Sequence, residues 1–328
     1  MKRSNWGRTR QAFLIRVRPL FLLAGSPGLV LGQNPPTSAG GETGLRISVD
    51  VKLVVLNVSV RDRKGGIVPR LEERNFHLEE NGRPQTIRAF QSAGSPVAVG
   101  LLVDSSRSMR SKRPEVVEAA ARFARLSDPR DELFIVNFND RVNFGFPDTK
   151  LLATSPDDLA RALLSPIADG RTSLYDAVGK ALAHIRSSPI ERKVLLVISD
   201  GGDNASKITQ AEVLQDIARS DVEIYTIVLY DEDDPDLNVG AMRRIAAASG
   251  GQFFRPKVPG EAVEICERIA ADIRTQYVLS YSPSNQNFCG EYRTIKLLVT
   301  ADRGGRLVSR TRAGYTALSS TGSGGVCK

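Results

Sequence analysis

The chain of 328 residues is 41% hydrophobic and 25% charged, a globular composition with enough length for one large domain and a smaller one. Its net charge of +8 is concentrated at the start, because residues 1–33 contain six lysines and arginines and no acid. The remaining 39 basic and 37 acidic residues nearly balance, so the charge does not support a nucleic-acid partner.

Residues 1–33 have the layout of a secretory signal. Basic residues precede a short apolar run at 20–24 and 29–31, and Gly32 is the small residue at the predicted cleavage position. The run is shorter than the roughly 20 apolar residues of a membrane-spanning helix. We therefore expect an exported protein that is periplasmic, on the cell surface or extracellular. An uncleaved leader stays an alternative, because Ser26-Pro27-Gly28 interrupts the run.

Residues 34–44 are predicted to be a linker, and residues 45–93 a β-rich flank. Apolar residues alternate with polar ones from Ile47 to Val60, and a phase shift after Val55 indicates a bulge or a change of sheet. Asn81-Gly82 is typical of a hairpin turn, with strands predicted at 76–80 and through 86–90. So few strands are too little for an independent domain.

Residues 95–275 alternate between strand and helix patterns. Near-continuous apolar runs predict strands buried on both faces at 97–103, 133–138, 194–198 and 224–229, with a short strand at 252–254. Helical periodicity predicts helices at 115–127, 157–164, 174–185, 209–219, 239–248 and 261–274. A tight turn at Asn139-Asp140 predicts that 142–144 is an antiparallel edge strand. The predicted fold class is α/β, with a doubly wound, mostly parallel, Rossmann-like sheet.

A second β-rich flank is predicted at 277–316, with strands at 277–281, 293–299 and 307–311. Neither flank is large enough to be stable alone. We therefore expect the two flanks to pair into one small β-sandwich, with the α/β domain of residues 95–275 inserted between them. Residues 317–328 are rich in serine and glycine and are predicted to be a disordered tail.

The three cysteines give a weak redox signal. Cys266 lies on the apolar face of the last predicted helix, which favours a packing role. A disulfide between Cys289 and Cys327 is compatible with an exported protein, although the spacing leaves the pairing open.

Hard oxygen donors follow two of the buried strands and open one helix. Asp104, Ser106 and Ser108 stand at alternate positions after the first strand, so a curling loop can direct all three at one point. Thr172 lies in the loop before the helix at 174–185, and Asp200 follows the strand at 194–198. In open α/β sheets, ligands bind at the carboxyl ends of the strands, near the switch in strand order. Two carboxylates and three hydroxyls suit a divalent cation, with Mg²⁺ expected first and Mn²⁺ or Ca²⁺ as alternatives.

Each of these residues also has a simpler explanation. Asp and Ser favour turns, Thr172 can cap the following helix, and Asp200-Gly201 is a common exit from a strand. Asp203 and Asn204 are close enough to Asp200 to support it, but a solvated loop is the favoured interpretation. The acidic run 231–236 also favours a solvated loop, because it lacks the glycine of a calcium loop. The case for a metal site depends on the joint placement of the five donors.

The motif D-x-S-x-S, the later threonine in a glycine-containing loop and the Asp-Gly after the fourth strand resemble the von Willebrand factor A-type (VWFA) domain. The resemblance covers about 180 residues. The flanking stretches FHLEENGRPQTI and QYVLSYSPS are similar to a secreted bacterial VWFA-related group typical of acidobacteria, which has no settled biochemical role. The resemblance implies that the five donors form a metal-ion-dependent adhesion site. Arg107 stands where many members carry glycine, so it would either lower metal affinity or recruit an acidic ligand.

The resemblance implies a binding or adhesion module that engages a protein ligand through an acidic side chain on the cation. Arg107, Arg171 and Asp203 are candidates for the surrounding rim. The sequence contains no G-x-S-x-G, P-loop or G-x-G-x-x-G motif, so we expect no enzyme. A structural or assembly component of the cell envelope, with a vestigial or purely stabilising metal site, is the first alternative. A metal-dependent hydrolase is the second, although neither a base nor a substrate pocket can be nominated.

Overall fold

The computed structural model describes residues 53–145, 156–164, 168–230, 237–301 and 305–318. The predicted leader, linker and acidic run lie outside these residues, as does Cys327. The strands are β1 (Val54–Arg61), β2 (Phe76–Glu80), β3 (Arg83–Gln85), β4 (Ile87–Gln91), β5 (Ala98–Asp104), β6 (Glu132–Phe138), β7 (Val142–Phe144), β8 (Lys193–Ser199), β9 (Glu223–Val228), β10 (Phe253–Phe254), β11 (Tyr277–Tyr281), β12 (Cys289–Val299), β13 (Val308–Arg310) and β14 (Gly314–Leu318). The helices are α1 (Arg113–Arg125), α2 (Pro156–Leu164), α3 (Leu174–Ile185), α4 (Gln210–Ala218), α5 (Val239–Ser249) and α6 (Glu261–Thr275).

The central sheet has the strand order β10-β9-β8-β5-β6-β7. All neighbours are parallel except β7, which pairs antiparallel with β6 as the tight turn predicts. The chain passes from β5 to β6 on one side and later returns to β8 on the other side of β5. The switch in strand order therefore lies at β5, where ligands bind in sheets of this kind.

Helices cover both faces of this sheet. Every residue of β5 is buried, with Val99, Leu101 and Val103 facing α1, α2 and α6. Ala98 and Leu102 face the opposite layer, which contains α3, α4 and α5. Burial on both faces explains the near-continuous apolar run in the sequence. The predicted α/β fold class is confirmed.

Two antiparallel sheets of four strands flank the α/β part, in the orders β13-β1-β11-β4 and β14-β12-β2-β3. Each sheet combines strands from both ends of the described chain. Their inner faces share one apolar cluster, to which β1 contributes alternate residues from Val54 to Val60. A sandwich of this kind buries apolar faces that neither segment could bury alone.

Two details of the flanks differ from the predictions. The strand that returns from the Asn81-Gly82 turn is divided, because β3 pairs with β2 whereas β4 crosses to the other sheet and pairs with β11. The strand β14 was not predicted, and it extends to Leu318, beyond the predicted start of the tail at residue 317. Tyr315 and Ala317 of β14 are buried in the sandwich core, and this burial explains why the strand extends past residue 316.

No helix within the described ranges is long and apolar enough to cross a bilayer.

Cys266 on α6 is a free thiol buried in the apolar cluster that also contains α1 residues, and this burial raises its pKa to about 12. Cys289 is disulfide-bonded, and its predicted partner Cys327 lies outside the described residues. Cys266 therefore has the packing role that the sequence indicates.

Candidate metal centre

Three loops meet at the carboxyl ends of β5 and β8. The first follows β5, the second (residues 168–173) precedes α3, and the third follows β8. Backbone hydrogen bonds join the first two loops, from Asp169 N to Ser105 O (3.0 Å) and from Arg107 N to Gly170 O (3.1 Å). The second and third loops are joined by Asn204, whose N donates to Thr172 O (3.0 Å) and whose Oδ1 accepts from Thr172 N (2.9 Å).

Two carboxylates are buried at this meeting point, and serine hydroxyls link them. Asp104 and Asp200 are each only 1% exposed. The Asp104 carboxylate accepts from Ser106 N (2.8 Å), and the Asp200 carboxylate accepts from the Ser108 hydroxyl. The Ser106 and Ser108 hydroxyl oxygens are 3.1 Å apart. Four of the five predicted donor residues are thus joined in one chain of contacts, through the Ser106 backbone N and the two serine hydroxyls.

Thr172, the fifth predicted donor, lies in the same group of loops and is 5% exposed. It does not cap the following helix, because Ser173 occupies the N-cap position of α3. The simpler interpretation of Thr172 as a helix cap is therefore wrong.

The electrostatics of the site favour a cation. Burial, and then repulsion by the Asp200 carboxylate, raise the pKa of Asp104 from 3.8 to about 7. A divalent cation between the carboxylates would offset their repulsion. It would also stabilise the charged form of Asp104, which burial disfavours. Across the described ranges, no three His, Cys, Asp or Glu side chains gather as metal ligands. A cation here would consequently need the hydroxyl oxygens as well as the two carboxylates, a donor set that suits Mg²⁺ or Mn²⁺.

Two of the three predicted rim residues lie around the candidate site as exposed arginines. Arg107 is 75% exposed, and its Nε donates to Asp169 Oδ1 at 3.1 Å. The Arg171 Nε donates to Asp140 Oδ1 at 2.8 Å. Asp203 has a different setting, because its carboxylate accepts from Ser206 Oγ (2.5 Å) and Tyr175 N (3.4 Å). Asp203 thus accepts a hydrogen bond from a backbone N–H in the first turn of α3, whereas the arginines face solvent.

Ser199 and Gly201 position the carboxylates, and neither was among the predicted site residues. The Ser199 hydroxyl donates to Asp104 Oδ2 at 2.6 Å and orients that carboxylate. A signal was available, since Ser199 is a lone hydroxyl at the end of an apolar strand, next to Asp200. Gly201 has φ +85°, and a Cβ there would lie 2.4 Å from Asn238 O. Only glycine allows the sharp exit that leaves Asp200 at the strand end.

Comparison with known proteins decides the family. A family profile described as the von Willebrand factor type A domain matches residues 99–265, half of the chain. The chain belongs to the von Willebrand factor type A family. The predicted resemblance to the VWFA domain is thereby confirmed, and the domains of this family are generally interaction modules without enzymatic activity.

Several solved structures are similar to this chain at low identity. A von Willebrand factor type A protein from Catenulispora acidiphila is 15% identical, with a TM-score of 0.48, and the match covers 74% of this chain and 72% of that chain. The vWF domain of the type V pili tip protein Mfa5 from Porphyromonas gingivalis is 12% identical (TM-score 0.47; 56% and 96% covered). Manganese-loaded TRAP protein from Plasmodium vivax is 14% identical (TM-score 0.43; 73% and 97% covered). No curated protein sequence matches the chain.

Proposed function

We propose that this protein is an exported binding module that engages a protein ligand through a divalent cation, Mg²⁺ first. Asp104, Ser106, Ser108, Thr172 and Asp200 would hold the cation. The observation that carries the proposal is the pair of buried carboxylates, linked through Ser106 and Ser108 at the switch point of the sheet. Export is proposed from the basic and apolar leader alone.

The donor set also indicates the ligand chemistry. Two carboxylates and three neutral hydroxyls leave a divalent cation with little negative charge around it. The cation therefore stays electrophilic, and a carboxylate from a protein ligand is a strong additional donor. We infer that the ligand presents an aspartate or glutamate side chain to the cation.

The arrangement of Arg107 favours ligand recruitment over a loss of metal affinity. The Arg107 guanidinium is paired with the Asp169 carboxylate, and this pairing weakens the repulsion between Arg107 and a bound cation. Arg110 pairs with the same carboxylate at 3.2 Å. With Arg171, these arginines place exposed donors around the site, where they would attract an acidic ligand.

Calorimetric titration of the full chain with Mg²⁺, Mn²⁺ and Ca²⁺ tests the site. We expect a saturable signal that is lost in Asp200→Ala and weakened roughly tenfold or more in Ser108→Ala. Glu79→Gln is the matched control, because it removes a partly exposed carboxylate of the sandwich, which pairs with Lys296 away from the metal loops, and it should leave the signal within about twofold.

A glutamate-containing peptide then tests the ligand chemistry, with and without chelator. Binding that requires the cation supports the proposal. Folded wild-type protein that binds no cation in either the presence or the absence of the peptide would contradict it. Equal titrations for wild type and Asp200→Ala would likewise show that the cation binds elsewhere.

A further inference from the structure

An arginine-rich edge lies on the central sheet, beside the edge strand β10 and away from the candidate metal centre. We name this surface the arginine edge and define it by three arginines and the aromatic rings on which they stack: Arg243, Arg255, Arg268, Tyr230, Phe253 and Phe254. Arg243 comes from α5 on one face of the sheet and Arg268 from α6 on the other. Arg255 follows β10 directly.

Each arginine of the edge is held by an aromatic ring. The guanidinium carbon of Arg243 lies 4.9 Å from the centre of the Phe253 ring, and that of Arg268 lies 5.5 Å from Phe254. Arg255 lies 4.5 Å above Tyr230, and its Nε donates to the Tyr230 hydroxyl at 2.7 Å. Stacking fixes the plane of a guanidinium and leaves N–H groups at its rim available for an anion.

None of these three arginines forms an ion pair with a carboxylate of the described chain, and all three are exposed. Arg293 and Arg310 also stack on aromatic rings, but each of them is paired with buried or half-buried carboxylates. Many other exposed arginines are paired as well, for example Arg74 with Glu72 and Arg161 with Asp158. The arginine edge therefore combines fixed orientation with guanidinium groups that pair with no carboxylate of the described residues.

The surroundings of the edge carry charges of both signs. Residues 231–236, which directly follow Tyr230 in the sequence, include five carboxylates, and the exposed Glu264 lies four residues before Arg268 on α6. Arg244 is adjacent on α5, and its Nε donates to the neutral amide oxygen of Gln210 at 3.0 Å. Lys257 follows Arg255 and is exposed. The neighbouring Glu261 uses its carboxylate to accept from the Lys257 backbone N at 2.8 Å, which is a helix-start contact at α6.

We propose that the arginine edge is a second binding surface, which recognises a protein segment rich in aspartate and glutamate. Guanidinium groups bind carboxylates through paired N–H donors, and a row of them fits several carboxylates on one chain. A protein partner follows from the family, whose domains bind proteins. The edge strand β10 is two strands from β8 and three from β5, or about 10–14 Å at the usual spacing between strands, so no residue of the edge is among the proposed cation ligands.

The test uses the full chain and fluorescein-labelled poly-L-glutamate, with anisotropy measured in the presence of EDTA. The wild-type protein should bind the probe, and affinity should fall as salt rises. The variant R243Q/R255Q/R268Q should bind roughly tenfold more weakly or worse. Because the chelator removes any cation, this outcome does not depend on the proposed metal site, and a failure of either proposal leaves the other intact.

A matched control removes the same charge elsewhere. R74Q/R161Q/K296Q neutralises three exposed residues, each of which has its own carboxylate partner. It should keep the affinity of the wild type within about twofold. An equal loss in both variants would overturn the proposal, since net charge alone would explain it. Absence of binding by the wild-type protein would overturn it too.

A lysine variant and a lipid probe complete the experiment. The variant R243K/R255K/R268K retains the charge and the fold but loses the planar donors, so it should bind at an intermediate level. This variant replaces the glutamine variant if the latter fails to melt cooperatively. Vesicles containing phosphatidylglycerol supply a lipid anion. Edge-dependent binding to vesicles without binding to poly-L-glutamate would overturn the assignment to a protein partner.

Discussion

At the scale of single residues, the candidate metal centre contains two buried carboxylates that repel each other. Asp104 and Asp200 are both buried, and their mutual repulsion adds to the cost of removing Asp104 from water. Ser199 and Ser106 N stabilise the Asp104 carboxylate, yet its pKa remains raised to about 7. The folded protein therefore holds a proton on Asp104 more tightly than the unfolded chain does. A divalent cation would replace that proton.

This raised pKa predicts how stability depends on pH. Without metal, the free energy of unfolding should fall as pH rises from about 4 to 7, because the unfolded chain loses the Asp104 proton first. Added Mg²⁺ should restore stability more strongly at pH 8 than at pH 5, because at the lower pH the proton competes for the carboxylate. Melting temperatures in EDTA and in Mg²⁺ across this range provide the measurement.

Asp104→Asn serves as the control for that prediction, because an amide fills the same space without the charge. In EDTA at pH 8 the variant should melt at a higher temperature than wild type, and Mg²⁺ should no longer raise its melting temperature. A variant that is less stable than wild type in EDTA at pH 8 would contradict the assignment of the repulsion to Asp104.

At the scale of secondary-structure elements, the sequence predicts local patterns well and lateral partners poorly. β5 and β8 were identified because burial on both faces leaves a continuous apolar run, and their polar exits followed directly from the strand ends. The division of the strand after Gly82 could not be predicted, since β4 leaves for a partner, β11, that is remote in sequence. For Ser199, the lone hydroxyl at the end of an apolar strand marks a candidate residue, but its partner Asp104 lies in the neighbouring strand and could not be predicted.

The buried polar junction between the sandwich and the α/β part was equally beyond reach of sequence spacing. Arg310 of β13 donates to Glu223 of β9 (2.7 Å) and to Asp272 of α6 (2.6 Å), and both carboxylates are buried. Burial raises the pKa of Glu223, and the charge of Arg310 opposes that rise. No sequence pattern indicates this contact, because the three residues come from elements that meet only in the folded chain.

Removal of Arg310 should therefore be costly. Arg310→Gln leaves two buried carboxylates without their shared cation, and we expect a loss of about 2–4 kcal/mol in the free energy of unfolding. Arg61→Gln removes a second partner of Asp272, but that side chain is 38% exposed, so the loss should be below about 1 kcal/mol. Urea denaturation of both variants compares them directly. Similar losses would show that the junction contributes little beyond a surface pair.

At the scale of the whole molecule, the junction and the candidate metal centre lie at opposite ends of the strands of the central sheet. The metal loops follow the carboxyl ends of β5 and β8, whereas the junction involves the first residue of β9 and the end of α6. Arg192 lies just before β8, on the side of the junction, and its guanidinium joins the first and last segments of the α/β part. It donates to Ser95 O (3.1 Å), Ile273 O (2.6 Å) and Gln276 Oε1 (3.1 Å).

This separation predicts that the sandwich stabilises the α/β part without shaping the metal site. Expressed alone, residues 95–276 should fold, because both helical layers and all six strands of the central sheet are retained. The fragment should melt at a lower temperature than the full chain, since the buried carboxylates of Glu223 and Asp272 lose Arg310. Its affinity for Mg²⁺ should stay within about threefold of the full chain, because sites far apart act independently. A folded fragment that no longer binds Mg²⁺ would instead show that the sandwich acts on the metal loops across the sheet, with α6 as the element that touches both the junction and the core beneath β5.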